Sequence, residues 1–186
     1  MESRPTFQPE NANLFKDYVR FQEYYDDNQV YYLIFRVINA DISDELWEKS
    51  MRNVRLFTRW IKASNVKYHF VFDIHECDLI PAGRLYELQA YLKKKRELLC
   101  THLHSSVVIT SNRIVELLLR SAFNFVTPAR PMKICLTCDS NAQNNTIGIP
   151  TDVWNVALDF LRANRFTEEK KSNVTVNNVF RHRNSS

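Results

Sequence analysis

The chain has 186 residues, 45% of them apolar, and a formal net charge of +4 from 25 basic and 21 acidic side chains. That apolar share is enough for the packed core of one ordinary domain and excludes wholesale disorder. No apolar run reaches the roughly 20 residues a membrane-spanning helix needs. Glycine is scarce: Gly83 and Gly148 are the only two, so every glycine-rich phosphate loop and the nucleophile elbow are excluded too.

The opening Met-Glu-Ser-Arg-Pro-Thr has no apolar stretch of the signal-peptide kind, and Glu2 and Glu10 do not suit an arginine-rich presequence. Free thiols in a reducing, intracellular (cytoplasmic) setting are therefore expected.

Residues 1–14, with Pro5 and Pro9, read as a polar arm. Two runs rich in aromatic and β-branched residues, Tyr18–Tyr25 and Val30–Val37, flank an Asp/Asn turn and predict a β-hairpin. A helix follows, with Ser43 as N-cap and Asp44 and Glu45 in its first turn. Its apolar positions run at helical spacing to Ile61, and its other face carries Lys49, Arg52, Arg55, Arg59 and Lys62.

Tyr68–Ile74 and Ser106–Thr110 read as strands. Between them Pro81 opens a helix lined by Leu85, Leu88, Leu92 and Leu99, with a basic run at Lys93, Lys94, Lys95 and Arg96. After Ser111-Asn112 comes a helix whose expected core face is Ile114, Val115, Leu118, Leu119, Ala122 and Phe123. Met132–Thr137 is the last predicted strand, and Thr151 to about Ala163 the last helix. Residues 15–165 thus predict one α/β domain: a mostly parallel sheet of about five strands, opened by the hairpin and alternating with four helices. Residues 166–186 read as a second polar tail.

Cys135 and Cys138 have zinc-like spacing, but a structural site needs four ligands, and only Cys77, Cys100, His102 and His104 stand in reserve on other elements. No metal and no cofactor is expected. Asp73, His75, Glu76 and Asp78 fall at the carboxyl end of a strand, where open α/β sheets place ligands. They could form acid–base machinery, yet a loop of solvated charges is the expected reading. The basic faces read as solvated, because the aromatic residues that would stack on nucleic acid lie on core faces or in the hairpin. Nucleic acid is not expected as a partner.

The run Asp73-Ile-His-Glu-Cys-Asp-Leu-Ile-Pro-Ala-Gly83-Arg-Leu resembles the strand–loop–helix of STAS domains, the anti-sigma-factor antagonist fold. Ser106-Val-Val-Ile-Thr-Ser-Asn112, Ala129-Arg-Pro-Met-Lys-Ile134 and the helix Asp152–Phe160 extend the resemblance over residues 30–162. It implies an α/β domain that acts by binding proteins. Where STAS regulators carry a phosphorylatable Ser or Thr, this chain has Ile80-Pro81-Ala82-Gly83, which has no hydroxyl, so a kinase-driven switch is not expected there.

The resulting expectation is a non-catalytic structural or adaptor subunit of a large assembly. Low glycine and abundant asparagine point to a minor capsid protein of a large DNA virus as the concrete case, located in the virion as well as the cell. A soluble STAS-type regulator is the alternative. The partners would be other protein subunits, gripped by the few apolar anchors of the tails: Phe7 and Leu14 at one end, Val174, Val176, Val179 and Phe180 at the other, with Arg181 and Arg183 at the rim.

Overall fold

The computed structural model describes residues 5–26, 30–77, 80–125, 128–137, 143–165 and 179–182. The two aromatic runs pair as expected. Strand β1 (Val19–Tyr25) lies antiparallel to β2 (Tyr31–Val37), with Val19 opposite Val37 and Tyr25 opposite Tyr31. Strands β3 (Tyr68–Asp73), β4 (Leu103–Thr110), β5 (Met132–Leu136) and β6 (Val179–His182) follow in chain order, each parallel to the one before. The chain is α/β, with one antiparallel pair and an otherwise parallel sheet. It has six strands where about five were expected, because β6 comes from the segment read as a tail.

Helices α2 (Asp44–Ser64), α3 (Ala82–Lys94), α4 (Arg96–His102) and α5 (Arg113–Phe125) carry the chain between the parallel strands. Ser43 caps α2 as predicted, its Oγ accepting from the Leu46 N–H at 3.3 Å. The single helix expected after Pro81 breaks at Lys95 into α3 and α4, and β4 starts earlier than predicted, at Leu103.

Both faces of the sheet are buried, which explains why β2 and β4 are apolar almost throughout. On one face Trp47, Met51, Phe57 and Ile61 of α2, Leu88 of α3, Leu99 of α4 and Val115 of α5 cover Tyr31, Leu33, Phe35, Phe72, Val108 and Ile134. On the other, α6 (Thr151–Ala163) sets Val153, Ala157 and Leu161 against Ile34, Val71, Val107, Ile109 and Cys135.

Phe7 of the amino-terminal arm is part of the core. The Phe7 ring centroid lies 5.3 Å from that of Phe57 and 6.0 Å from that of Trp60. Just beyond it, the Glu10 backbone exchanges two hydrogen bonds with the Asn53 side chain, at 2.7 and 2.9 Å. In the short helix α1 (Ala12–Phe15), Phe15 is buried while Leu14 faces out. Phe7 therefore has its apolar partners within its own domain. Truncating it (Phe7→Ala) opens a cavity beside Phe57, and a loss of about 3–5 kcal/mol is expected by denaturant titration. An unchanged midpoint would mean that the arm does not dock.

Under α6, Tyr32, His69 and His104 lie side by side across three strands, with adjacent ring centroids 4.9 Å apart. His69 Nδ1 sits 2.9 Å from Ser105 Oγ, and its Nε2 is buried without a partner. Burial first, then the neighbouring His104 and Arg165, pushes His69 down to about 3. Burial likewise brings His104 down to about 4. An unfolded histidine takes up a proton near pH 6.5, which the folded one refuses. Stability is therefore complete above that pH and lost as pH falls, by about 1.4 kcal/mol per pH unit for His69. Urea midpoints should drop between about pH 7 and 5, and less steeply in His69→Phe; a flat wild-type profile would contradict the buried neutral ring.

Candidate functional site

Arg36, near the end of β2, and Asp73, at the end of β3, are register partners on the α6 face. An arginine in the run Tyr-Tyr-Leu-Ile-Phe-Arg-Val must be buried with the rest of the strand, and a buried charge needs a counter-charge. Asp73 supplies it: Arg36 Nε donates to Asp73 Oδ2 at 2.7 Å, with side-chain exposures of 4% and 0%. The other carboxylate oxygen, Oδ1, takes the His75 ring, whose Nδ1 lies 2.6 Å away, and the His75 backbone N–H at 3.2 Å. Glu76 Oε1 stands 3.7 Å from His75 Nε2 and 4.0 Å from Arg36 Nη1.

Three of the four residues singled out at this strand end thus converge, and Asp78 lies outside the described residues. The expected loop of solvated charges is corrected at Asp73, which is fully buried. Spacing along one strand could not reveal Arg36, whose proximity is created by pairing with the neighbouring strand. The signal was present all the same: a lone arginine in an apolar strand, and an aspartate at the end of the next.

The loop before α6 closes over this pair. Asn145 shapes it, its Oδ1 accepting from the Ile147 and Ile149 N–H groups at 3.0 Å each. Gly148 lies against the guanidinium at φ +79°, and a Cβ there would clash with Arg36 Nη1. One of the two glycines in the chain is therefore required both by its conformation and by close approach.

Asp73 at Nδ1 orients the ring with Nε2 facing Glu76, the kind of carboxylate–imidazole contact that orients a base. The hydroxyls at the adjacent strand end are engaged elsewhere. Ser111 Oγ donates to the His75 carbonyl at 2.6 Å, and Thr110 Oγ1 accepts from the Asn112 N–H at 3.1 Å. Among the described residues no group of three or more His, Cys, Asp or Glu could hold a metal ion. What the cluster does physically is tie His75, just after β3, to β2 and to the start of α5.

From that point α5 departs from expectation. Asn112 caps it, its Oδ1 accepting from the Ile114 N–H at 2.8 Å. Val115 faces the core, and buried Glu116 is paired with Arg120 at 3.0 Å. Ile114 and Leu118, expected inside, are 64% and 53% exposed, with Leu117 beside them at 59%. The helix is apolar over more of its circumference than the sheet beneath can cover. The three residues stand at i, i+3 and i+4 and form one stripe. Tyr86 on α3, the preceding crossover, is also well exposed.

The remaining candidates disperse. Cys135 is buried inside β5, and burial raises its thiol to about 11; Cys138 lies outside the described residues. Cys77 is buried, its Sγ donating to the Val37 carbonyl, while Cys100 is exposed on α4. His102 ends α4, and His104 stands on β4 under α6. Val179, Phe180 and Arg181 lie on β6, whose backbone pairs with β5 of the same chain; Val174, Val176 and Arg183 lie outside the described residues.

Comparison with protein-family models, with curated proteins and with solved structures finds no match.

Removing one member of the buried pair strands the other. Arg36→Ala and Asp73→Ala should each cost about 3–5 kcal/mol in chemical denaturation. The double change Arg36→Met with Asp73→Leu should cost clearly less than the sum of two single removals. Additive losses would show that the two charges are not coupled.

Proposed function

We propose that the protein is a non-catalytic protein-interaction domain, a regulator or adaptor of the STAS-like kind, which docks on an amphipathic helix of a partner through the outer face of α5. The observation that carries this reading is the stripe Ile114, Leu117 and Leu118, more than half exposed on a helix whose other side is in the core. Clustered large apolar side chains at a surface favour burial by a partner, whereas scattered ones do not. Exposed Arg113 borders the stripe at its amino end, so a partner helix with an apolar face and an acidic margin fits it. The Arg36–Asp73–His75 cluster supports the same reading. It ties His75 to β2 and, through Ser111, to the start of α5, and docking on a preorganised surface loses less entropy.

Membership of a larger assembly, such as a virion shell in which the chain is a minor capsid protein, is the structural form of this proposal. In that form too α5 is the contact: Phe7 is engaged at home, and β6 already has its neighbour in β5. A second reading, proton-transfer chemistry at His75, draws on the 2.6 Å contact with Asp73. It has no nucleophile assigned to it, and the two readings predict opposite effects of His75→Ala.

The test places a photo-crosslinking amino acid at Leu117, with a control at Glu45 on α2, in cells of the natural source. Reproducible capture of one partner at Leu117 alone is expected. Leu117→Glu with Leu118→Glu should weaken binding to the captured partner at least tenfold while stability changes by about 0.5 kcal/mol or less. His75→Ala should leave the complex intact. A complex that survives the double glutamate variant, or crosslinking confined to the tails, would overturn docking through α5.

A further inference from the structure

Two basic runs that are far apart in sequence are brought near each other in the fold, where α2 meets α3. No carboxylate occurs between Glu48 and Asp73, a stretch holding Lys49, Arg52, Arg55, Arg59, Lys62 and Lys67. The first half of this stripe is neutralised: Lys49 pairs with Glu45 at 2.7 Å, Arg52 with Glu10 at 3.2 Å, and Arg55 with Glu48. Further along, Arg59 and Lys62 are exposed. At this point α2 meets the end of α3, where Thr58 Oγ1 and the Tyr91 hydroxyl are 2.5 Å apart. Lys93, Lys94 and Lys95 follow directly, all exposed, with Lys95 Nζ 5.9 Å from the centre of the Tyr91 ring. Among the described residues none of these five cations forms an ion pair, and Glu97 is the only carboxylate between Glu87 and Glu116.

From this juxtaposition we infer a binding surface for the sugar–phosphate backbone of nucleic acid, formed by Arg59, Lys62, Lys93, Lys94 and Lys95. Lysines in the last turn of a helix favour its dipole, but one or two suffice for that, and Arg59 lies outside the last turn of α2. The chemistry of the surroundings selects the partner. A protein interface needs an apolar centre, and a membrane-surface contact gains from inserted apolar side chains. The large exposed apolar residues of the described chain are Leu14, Tyr86, Ile114, Leu117 and Leu118, none of them within either basic run. A phosphate backbone needs only cations, and mobile lysine ammonium groups neutralise it without reading sequence. Among the described residues no exposed aromatic lies within either basic run, which counts against single-strand recognition but is no obstacle to backbone binding by a duplex.

The test is fluorescence anisotropy of the full chain with a labelled mixed-sequence DNA duplex of about 20 base pairs, at several salt concentrations. Binding is expected, with affinity falling about tenfold for each doubling of salt if roughly four phosphates are neutralised. Lys93→Glu with Lys94→Glu should weaken it at least tenfold, and Lys62→Glu several-fold. Lys49→Glu, on the ion-paired half of the stripe, should change it less than twofold. No binding at about 50 mM salt would overturn the inference. So would equal losses from Lys49→Glu and Lys93→Glu. Tighter, patch-dependent binding to vesicles of about 30% phosphatidylserine, or to polyglutamate, would assign the patch to a membrane or an acidic protein instead.

Discussion

A charge buried in the floor of a sheet has to be answered where it lies, and in this protein much follows from that requirement. Arg36 is carried into the interior by a strand that is apolar on both faces. Asp73 meets it from the neighbouring strand, and once buried has a second oxygen to satisfy. His75 fills that role, which bends the chain leaving β3 back over its own end. Ser111 then ties the loop to the start of α5. On the other side, the guanidinium occupies space that only a residue without a side chain can leave, and Gly148 stands there. One ion pair thereby positions His75, the cap region of α5 through Ser111, and Gly148 on the approach to α6. Buried pairs of this kind add little net stability over an apolar replacement, so their effect is felt as geometry.

That geometry explains why an Asp–His contact need not mean catalysis. In the usual acid–base arrangement the carboxylate orients an imidazole toward a reacting group. Here the carboxylate is first the counter-ion of Arg36, and the imidazole shares it. The neighbouring hydroxyls of Ser111 and Thr110 are engaged with backbone groups. The cluster is built like a clasp that holds a surface still, which is what a docking domain needs.

The two unusual surfaces are separated on the helical layer. Near the carboxyl ends of the strands, α5 shows an apolar stripe on the side turned away from the core. Where α2 and α3 meet, cations accumulate without carboxylates to answer them. The division is chemical as well as spatial, since the apolar stripe has only Arg113 at its margin and the basic surface has no large exposed apolar side chain within its runs. Under the two proposals above, a protein helix and a polyanion would engage different surfaces of the domain.

Local chemistry determined a good deal by itself. The aromatic runs around an Asp/Asn turn, the Ser43 cap, the proline-opened helix and the alternation of strand and helix are short-range signals, and each element exists close to where they place it. The tertiary structure decided the rest, because those features depend on neighbours distant in sequence. Arg36 and Asp73 become a pair only when β2 and β3 align in register. Phe7 is core rather than contact because Phe57 and Trp60 are waiting for it. Ile114 and Leu118 are exposed because α5 turns Val115 and Glu116 inward, which leaves the other side of the helix outside. The basic runs of α2 and α3 come near each other because Thr58 and Tyr91 touch. A sequence records which side chains want to be buried, and only the packed chain shows how much room there was for them.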